Sequence, residues 1–491
     1  MRSATIKLFR RPGPSRNTVD LSKKYYIYLI FMLNTTEMDS PVILSFYTQL
    51  ISLLPSFCQM VEKSKAEHFT RSRKLPLPRL IVTLLHLAAG GSRHDGVDIK
   101  LGDFFNLSRR GGLWPEAQTP HRSALTKARS KLRWETFAEL LRKAVDLAYQ
   151  VFPQRDEYTW CGLSVFAFDG SKYILPATSE LRKTFDPDSG LGKPGKGHYP
   201  QALTNTVYDV FRRMPIGRTA CPIQDGDERG QALTLLELLP LACICLFDRG
   251  YPGYAFILAL MQQSRYFLMR CPAQSTFLAV EPFVRSGQKD GFIWLMPSDT
   301  FKRGLTKAER RTLKPIKLRI IRLTHPDGTL SVLLTNLFDK PAFTCQSVVD
   351  LYYRRWAVEN HYRDEKVSFE IERFHSKTVN GVQQELFAIL IVCVIARVVT
   401  ALSVSSEAVE TDHCSKAPQL KNAVKSFARE AALLVAMNSE QAFIIFQELL
   451  DDIRRVKYYQ PKKPKPSKPC VNKGTVNKWQ EGRCKKIAMA A

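Results

Sequence analysis

Two apolar runs near the middle of the chain end on the same kind of residue. VFAF leads into Asp169-Gly170-Ser171, and CICLF leads into Asp248-Arg249-Gly250. Short apolar runs bounded by glycine-containing turns are the pattern of strands buried on both faces. An aspartate closing such a strand is held rigidly, with its carboxylate facing a crevice. Buried strands need neighbours beside them and layers above and below. The surrounding sequence supplies both. ALTNTVYDVFRRMPIGRTACP gives two β segments joined near 212–215, and ERGQALTLLELLP gives a helix that begins at Glu228. A second helix follows Asp248, and RYFLMRCP gives a further strand. Strands alternating with helices indicate a mixed α/β sheet.

The flanks differ. Residues 38–155 are helical in pattern, with SFYTQLISLLPSFCQMVEK carrying apolar residues at helical spacing. Thr119 caps a helix that starts at Pro120. Arg122, Lys127, Arg129, Lys131 and Arg133 crowd that helix. Such a helix either lies against phosphates or forms the solvated basic face of a bundle. Residues 272–342 form a β-rich unit made of FIWLMP, IKLRIIRLTH and TLSVLLTNLF, with a PDG turn at 326–328. Its Trp294 is read first as a core residue of that unit, and second as a platform for an unpaired base. Helix returns at 343–405 and again at 406–452.

The formal net charge is +26 with a pI near 9.7. An imbalance of this size implies an acidic polymer as partner, of which nucleic acid is the usual one. From position 454 to 486 there are twelve basic residues and one acid. That places a disordered basic tail at 453–491. The eleven cysteines are scattered, with none in CxxC spacing, which points to a reduced, intracellular protein. Cys470 and Cys484 have no nearby histidine, so no zinc site is expected in the tail. YYIYLIFML at 25–33 is too short to span a membrane. Met38 is a candidate start that would make 1–37 an extension. LFAILIVCVIARVVTAL at 386–402 has nearly the length of a membrane span but contains Arg397, and is read as a buried core helix.

The stretch DLYYRRWAVENHYRDEK, 350–366, carries the remaining chemistry. On a straight helix Tyr352, Arg355, Glu359 and Lys366 fall within about 60° of arc over roughly 21 Å. Asp364 and Glu365 point away, as a solvated back. A carboxylate flanked by cations on one face suits a metal-dependent phosphodiester site, although a surface helix with i,i+4 ion pairs has the same pattern. Asp169 and Asp248, converging from neighbouring strands, repel unless cations sit between them. Mg²⁺ suits such a place, since it takes a few carboxylate oxygens plus waters and phosphates.

The spacing Tyr-x2-Arg-x3-Glu-x6-Lys after two strand-borne aspartates resembles the YREK signature of bacterial insertion-sequence DDE transposases, the insertion sequence four family. VFAFDGS, LFDRGYPGY, YPQALTNTVYDVFRRMPI and LLTNLF resemble the same family, and the likeness covers most of 60–405. It implies an RNase H-like catalytic core interrupted by a β-rich insertion, behind an all-α N-terminal region. In domain terms, 156–271 and 343–405 would be the two parts of the core, 272–342 the insertion and 38–155 the DNA-binding domain. Asp169, Asp248 and Glu359 would hold two Mg²⁺ ions, for which Mn²⁺ could substitute. Tyr352, Arg355 and Lys366 would grip the transposon-end backbone, with Arg249 and Tyr251 as accessory phosphate contacts. The partners implied are double-stranded DNA, at transposon ends and target, and a second copy of the chain in a synaptic dimer. No membrane is involved, and the setting is the bacterial cytoplasm at the nucleoid. A nuclease without strand transfer and a non-catalytic DNA-binding derivative are the alternatives.

Overall fold

β1 (Ser164–Ile174) is the central strand from which the rest of the sheet is built. In the computed structural model the described residues are 41–461, apart from 62–66, 71–73, 90–94, 153–155, 187–198, 224, 275–276, 325–328 and 405–413. The extension at 1–37, the PDG turn and the tail beyond 461, with Cys470 and Cys484, lie outside them.

Five α-helices precede β1 among the described residues: α1 (Pro41–Met60), α2 (Leu77–Ala89), α3 (Val97–Arg110), α4 (Arg122–Arg129) and α5 (Glu135–Val151). After β1 come α6 (Ser179–Phe185), β2 (Gln201–Asp209), β3 (Met214–Pro222), α7 (Glu228–Leu235), β4 (Cys243–Phe247), α8 (Tyr254–Gln262) and β5 (Tyr266–Pro272). The β-rich stretch contributes α9 (Val280–Arg285), β6 (Asp290–Leu295), α10 (Asp299–Arg303), α11 (Lys307–Thr312), β7 (Ile316–Thr324) and β8 (Leu330–Thr335). Then follow α12 (Cys345–Tyr353), α13 (Trp356–Arg363), a π-turn (Asp364–Ser368), α14 (Val379–Leu402), β9 (Cys414–Pro418), α15 (Leu420–Arg429), α16 (Ser439–Arg455) and β10 (Lys457–Pro461).

The main sheet has eight strands in the order β3-β2-β1-β4-β5-β8-β7-β6. β2 is antiparallel to both β1 and β3, whereas β4 and β5 run parallel to β1. Three antiparallel strands followed by two parallel ones, ordered 3-2-1-4-5, give the RNase H-like arrangement. The β-rich stretch continues this same sheet, because β8 pairs antiparallel with β5 and carries β7 and β6 outward. Arg319 of β7 is buried there, bonded to Asp290 and to the carbonyls of Leu337 and Phe343.

α14 is apolar all round and is buried from Gly381 to Leu402, as such a helix must be. It passes between the sheet and the helices α2, α5 and α15. Arg397 is tolerated because its Nε donates to the Arg212 carbonyl at 2.9 Å and its guanidinium lies over the Phe152 ring. Among the described residues two helices, Pro41–Gln59 and Val379–Leu402, are long and apolar enough to cross a membrane. The second is the core helix that its sequence predicts.

Two expectations for the N-terminal region change. α4 is capped by His121, which accepts from Ser123 N, while Thr119 instead accepts from Arg109. Arg129 is buried and donates to Gln384, Glu385 and the Gly381 carbonyl at 2.8–3.0 Å. It fixes α4 to α14 and cannot face a phosphate. Arg122, Lys127 and Arg133 remain exposed.

Candidate active site

Parallel pairing brings the two aspartates together. β1 pairs with β4 from Ser164↔Cys243 to Ala167↔Leu246, an offset of 79 residues that also separates Asp169 from Asp248. Both aspartates therefore lie just past the end of the shared ladder, Asp169 on β1 and Asp248 in the turn after β4. β4 ends at Phe247, while β1 runs on beside β2 to Ile174. Asp169 thus sits inside its strand and not at a turn, because β2 keeps pairing where β4 has stopped. Asp248 starts the turn itself, and its Oδ1 accepts from Gly250 N at 2.8 Å.

α13 lies across β1 and β2. Val358, His361, Tyr362 and Glu365 form its buried face, at the i, i+3, i+4, i+7 spacing of a packed helix. Tyr362 Oη donates to the Asp169 carbonyl at 2.8 Å, which anchors the helix on β1. On the edge of that face Arg355 Nη2 donates to Glu359 Oε1, and Arg355 Nη1 stands 3.7 Å from Asp169 Oδ1. Arg355 is buried, and among the described residues its Nε and Nη1 have no hydrogen-bond partner. Tyr352, also buried, places its hydroxyl against Arg355; burial raises its pKa and Arg355 opposes the rise.

The electrostatics follow from this crowding. Burial pushes the Asp169 carboxyl up to about 7; Arg355 opposes the rise, and Glu359, Asp248 and Glu228 add to it. Glu228 is likewise raised, first by burial and then by Asp248. Among the described residues no three His, Cys, Asp or Glu side chains close into a ready-made metal cage. Separated carboxylates, a raised acid and a guanidinium with orphaned donors suit a hard divalent cation that completes its shell with water and phosphate. Asp169, Asp248 and Glu359 are the residues that would hold it.

The remaining expected contacts divide. Arg249 is exposed beside Asp248. Lys366 Nζ donates to the Lys172 carbonyl at 2.7 Å and lies over the Tyr173 ring, with burial lowering its pKa. Tyr251 is 1% exposed, packed on Phe247 and Phe256, with Asn205 donating to its hydroxyl. This corrects the expectation of an accessory phosphate contact there: the residue after Arg249-Gly250 turns back into the core.

The straight-helix reading of 350–366 also needs correcting. The stretch breaks between Tyr353 and Trp356 and widens at the π-turn, where Phe369 N reaches the Asp364 carbonyl at 2.9 Å. Glu365 is fully buried and is not a solvated back. It accepts two hydrogen bonds from Arg218 Nη2, at 2.8 and 2.9 Å, plus one from the Tyr173 hydroxyl, and His361 Nε2 lies 3.0 Å away. The i, i+3, i+4, i+7 spacing is the signal for this face, hidden by two of its four members being polar. Trp294 departs from its core reading in the other direction. It is 58% exposed on the edge strand β6, near Phe292 and Phe338, with Lys317 and Lys340 over the Phe292 ring.

The transposase DDE domain family matches residues 165–395, a range that contains Asp169, Asp248 and Glu359. The transposase InsG for insertion sequence element IS4 of Escherichia coli (strain K12) is 24% identical over 345 residues, covering 68% of this chain and 72% of that protein. The putative transposase y4zB of Sinorhizobium fredii (strain NBRC 101917 / NGR234) is 29% identical over 160 residues, 32% of this chain and 43% of that protein. A piggyBac transposase synaptic complex with hairpin DNA, solved by cryo-EM, aligns over 94% of this chain and 91% of that chain at 12% identity and a TM-score of 0.39. The chain thus carries a match to the transposase DDE domain over 165–395 and is similar along most of its length to a transposase of insertion sequence element IS4.

Proposed function

We propose that this transposase binds the terminal inverted repeats of its element, cleaves at the ends and joins the freed 3′ ends to target DNA. The observation that carries the reading is the meeting of Asp169 on β1 with Arg355 and Glu359 at the start of α13, beside Asp248 in the turn that follows β4. Mg²⁺, or Mn²⁺ in its place, supplies Lewis acidity and charge neutralisation at the scissile phosphodiester when bound. Asp169, Asp248 and Glu359 are the residues that would hold the ions. Arg355 has donors to spare for a phosphate oxygen, and Tyr352 orients it. Lys366 and Arg249 flank the centre as further backbone contacts. The exposed Arg122 and Lys127 of α4 offer phosphate contacts to the end sequence. Trp294, exposed and flanked by cations, offers a stacking platform for an unpaired base. Two ends must be held at once, so the working form is a homodimer on two DNA duplexes, in the cytoplasm at the nucleoid.

The test is a Mg²⁺ reaction on a duplex carrying one element end, with a supercoiled plasmid as target. Wild-type protein should give cut ends and joined products, and Asp248→Ala should give neither while still binding the duplex. Full activity of Asp248→Ala would overturn the proposal, and cut ends that never join would favour a nuclease.

A further inference from the structure

α13 grips Asp169 twice. Arg355 Nη1 lies 3.7 Å from the Asp169 carboxylate, and Tyr362 Oη donates to the Asp169 main-chain carbonyl at 2.8 Å. The second contact falls where β1 has lost a neighbour. Pairing with β4 ends at Ala167, while pairing with β2 continues to Ile174. A strand paired on one side only opens more readily than one paired on both.

Behind Tyr362 stands a chain of donors. The register sets Asp169 opposite Thr206 and Thr206 opposite Arg218, so their three side chains rise from one face of the sheet. It is the face that α13 covers. Arg218 Nε donates to Thr206 Oγ1 at 2.9 Å, and the Thr206 hydroxyl is hydrogen-bonded in turn to Tyr362. A guanidinium only donates, a carbonyl only accepts, and each hydroxyl has one proton to give. The direction is therefore fixed: Arg218 gives to Thr206, Thr206 to Tyr362, and Tyr362 to Asp169. Arg218 cannot swing, because Nη2 holds both Glu365 oxygens at 2.8 and 2.9 Å and Nη1 reaches the Leu386 carbonyl at 3.3 Å. Thr206, Arg218, Tyr362 and Glu365 are all buried.

We propose that Tyr362, oriented by Thr206 and Arg218, is a positioning residue for DNA cleavage. It sets where Asp169 stands relative to Glu359, which lies about one turn earlier on the same helix. It acts through the main chain of Asp169 and needs no contact with DNA. The inference rests on the reading of Asp169 and Glu359 as the reacting centre given above.

The test uses full-length protein, an element-end duplex and saturating Mg²⁺. Single-turnover cleavage, duplex affinity and melting temperature are measured for Tyr362→Phe, Thr206→Val, Thr206→Ser and the Tyr362→Phe/Thr206→Val double variant. Tyr362→Phe should cut on the order of tenfold more slowly while binding the duplex with wild-type affinity. Thr206→Val should lose less in the same direction, and Thr206→Ser, which keeps the hydroxyl, should recover most of that loss. The double variant should be no slower than Tyr362→Phe alone, because Thr206 acts through Tyr362. In chelator, hydrogen exchange of the β1 peptide around Asp169 should quicken in Tyr362→Phe. Wild-type cleavage by Tyr362→Phe, unchanged exchange in that peptide, or losses that multiply in the double variant would overturn the role. Glu359→Gln is run beside them. Wild-type cleavage by Glu359→Gln would overturn the reading of the centre itself, whereas an inactive Glu359→Gln beside a fully active Tyr362→Phe would overturn the role of Tyr362 alone. Should Tyr362→Phe fail to fold, Thr206→Val set against Thr206→Ser carries the inference, and equal cleavage by those two would overturn it.

Discussion

Glu359 and Glu365 sit six residues apart on one helical stretch, yet they occupy opposite kinds of environment. Around Glu365 the carboxylate's own charge is answered. Burial alone would raise its carboxyl, but Arg218 first, then His361 and Tyr173, hold it down to about 2. The group is sealed, with both Arg218 and Glu365 fully buried. Around Glu359 the account does not close: Arg355 keeps donors without a hydrogen-bond partner among the described residues, and Asp169 is pushed up to about 7. A satisfied polar network rigidifies, whereas an unsatisfied one in a crevice is waiting for a ligand. The first holds α13 on the sheet, and the second is the place where chemistry happens.

Breaking the closed network should cost the most. Arg218→Met strands a buried carboxylate and should destabilise the fold by about 3–5 kcal/mol, read by chemical denaturation. Adding Glu365→Met to Arg218→Met should restore much of that loss, as two apolar groups replace the pair. The same network sets an acid limit. A depressed carboxyl contributes stability that is intact above its ordinary value of 4.5 and is lost as the pH falls toward 2. Wild type should therefore lose more stability across that window than a folded Arg218→Met/Glu365→Met variant.

Changes on the open side should be milder for the fold and visible in binding. Trp294→Ala should weaken binding of an end with unpaired bases by about 1–3 kcal/mol and leave a fully paired duplex unaffected, measured by fluorescence anisotropy. The raised Asp169 gives a pH signature of opposite sign to Glu365. A raised acid favours the metal-free fold below its ordinary value of 3.8, and that contribution is lost as the pH rises through about 7. Protons and cations then compete for one carboxylate, so Mg²⁺ affinity should rise about tenfold from pH 6 to pH 8, read as a larger thermal shift at the higher pH. Lys127→Ala, on the exposed face of α4, should have the smallest effect, lowering the salt slope of DNA binding by about one.

The two halves of the comparison are not equally legible in the sequence. The open half is, because apolar runs ending on aspartate fix both strand and side-chain placement, and the spacing from Arg355 to Glu359 survives any helix. The closed half is not. Arg218 and Glu365 are 147 residues apart, and a charged helix position looks solvated until its partner is known. The π-turn compounds this by rotating the last turn away from regular 100° steps. Trp294 is misplaced for a related reason, since alternation along a strand does not say whether the strand is central or, like β6, at the edge.

The most direct measurement sets Glu359→Gln against Glu365→Gln in Mg²⁺-dependent cleavage of an element-end duplex, at a temperature where both are folded. Glu359→Gln should keep wild-type stability and DNA binding and lose at least about 10³-fold in cleavage rate. Glu365→Gln should melt earlier and still cleave. Cleavage by Glu359→Gln at the wild-type rate would contradict the assignment of the open centre as the active site.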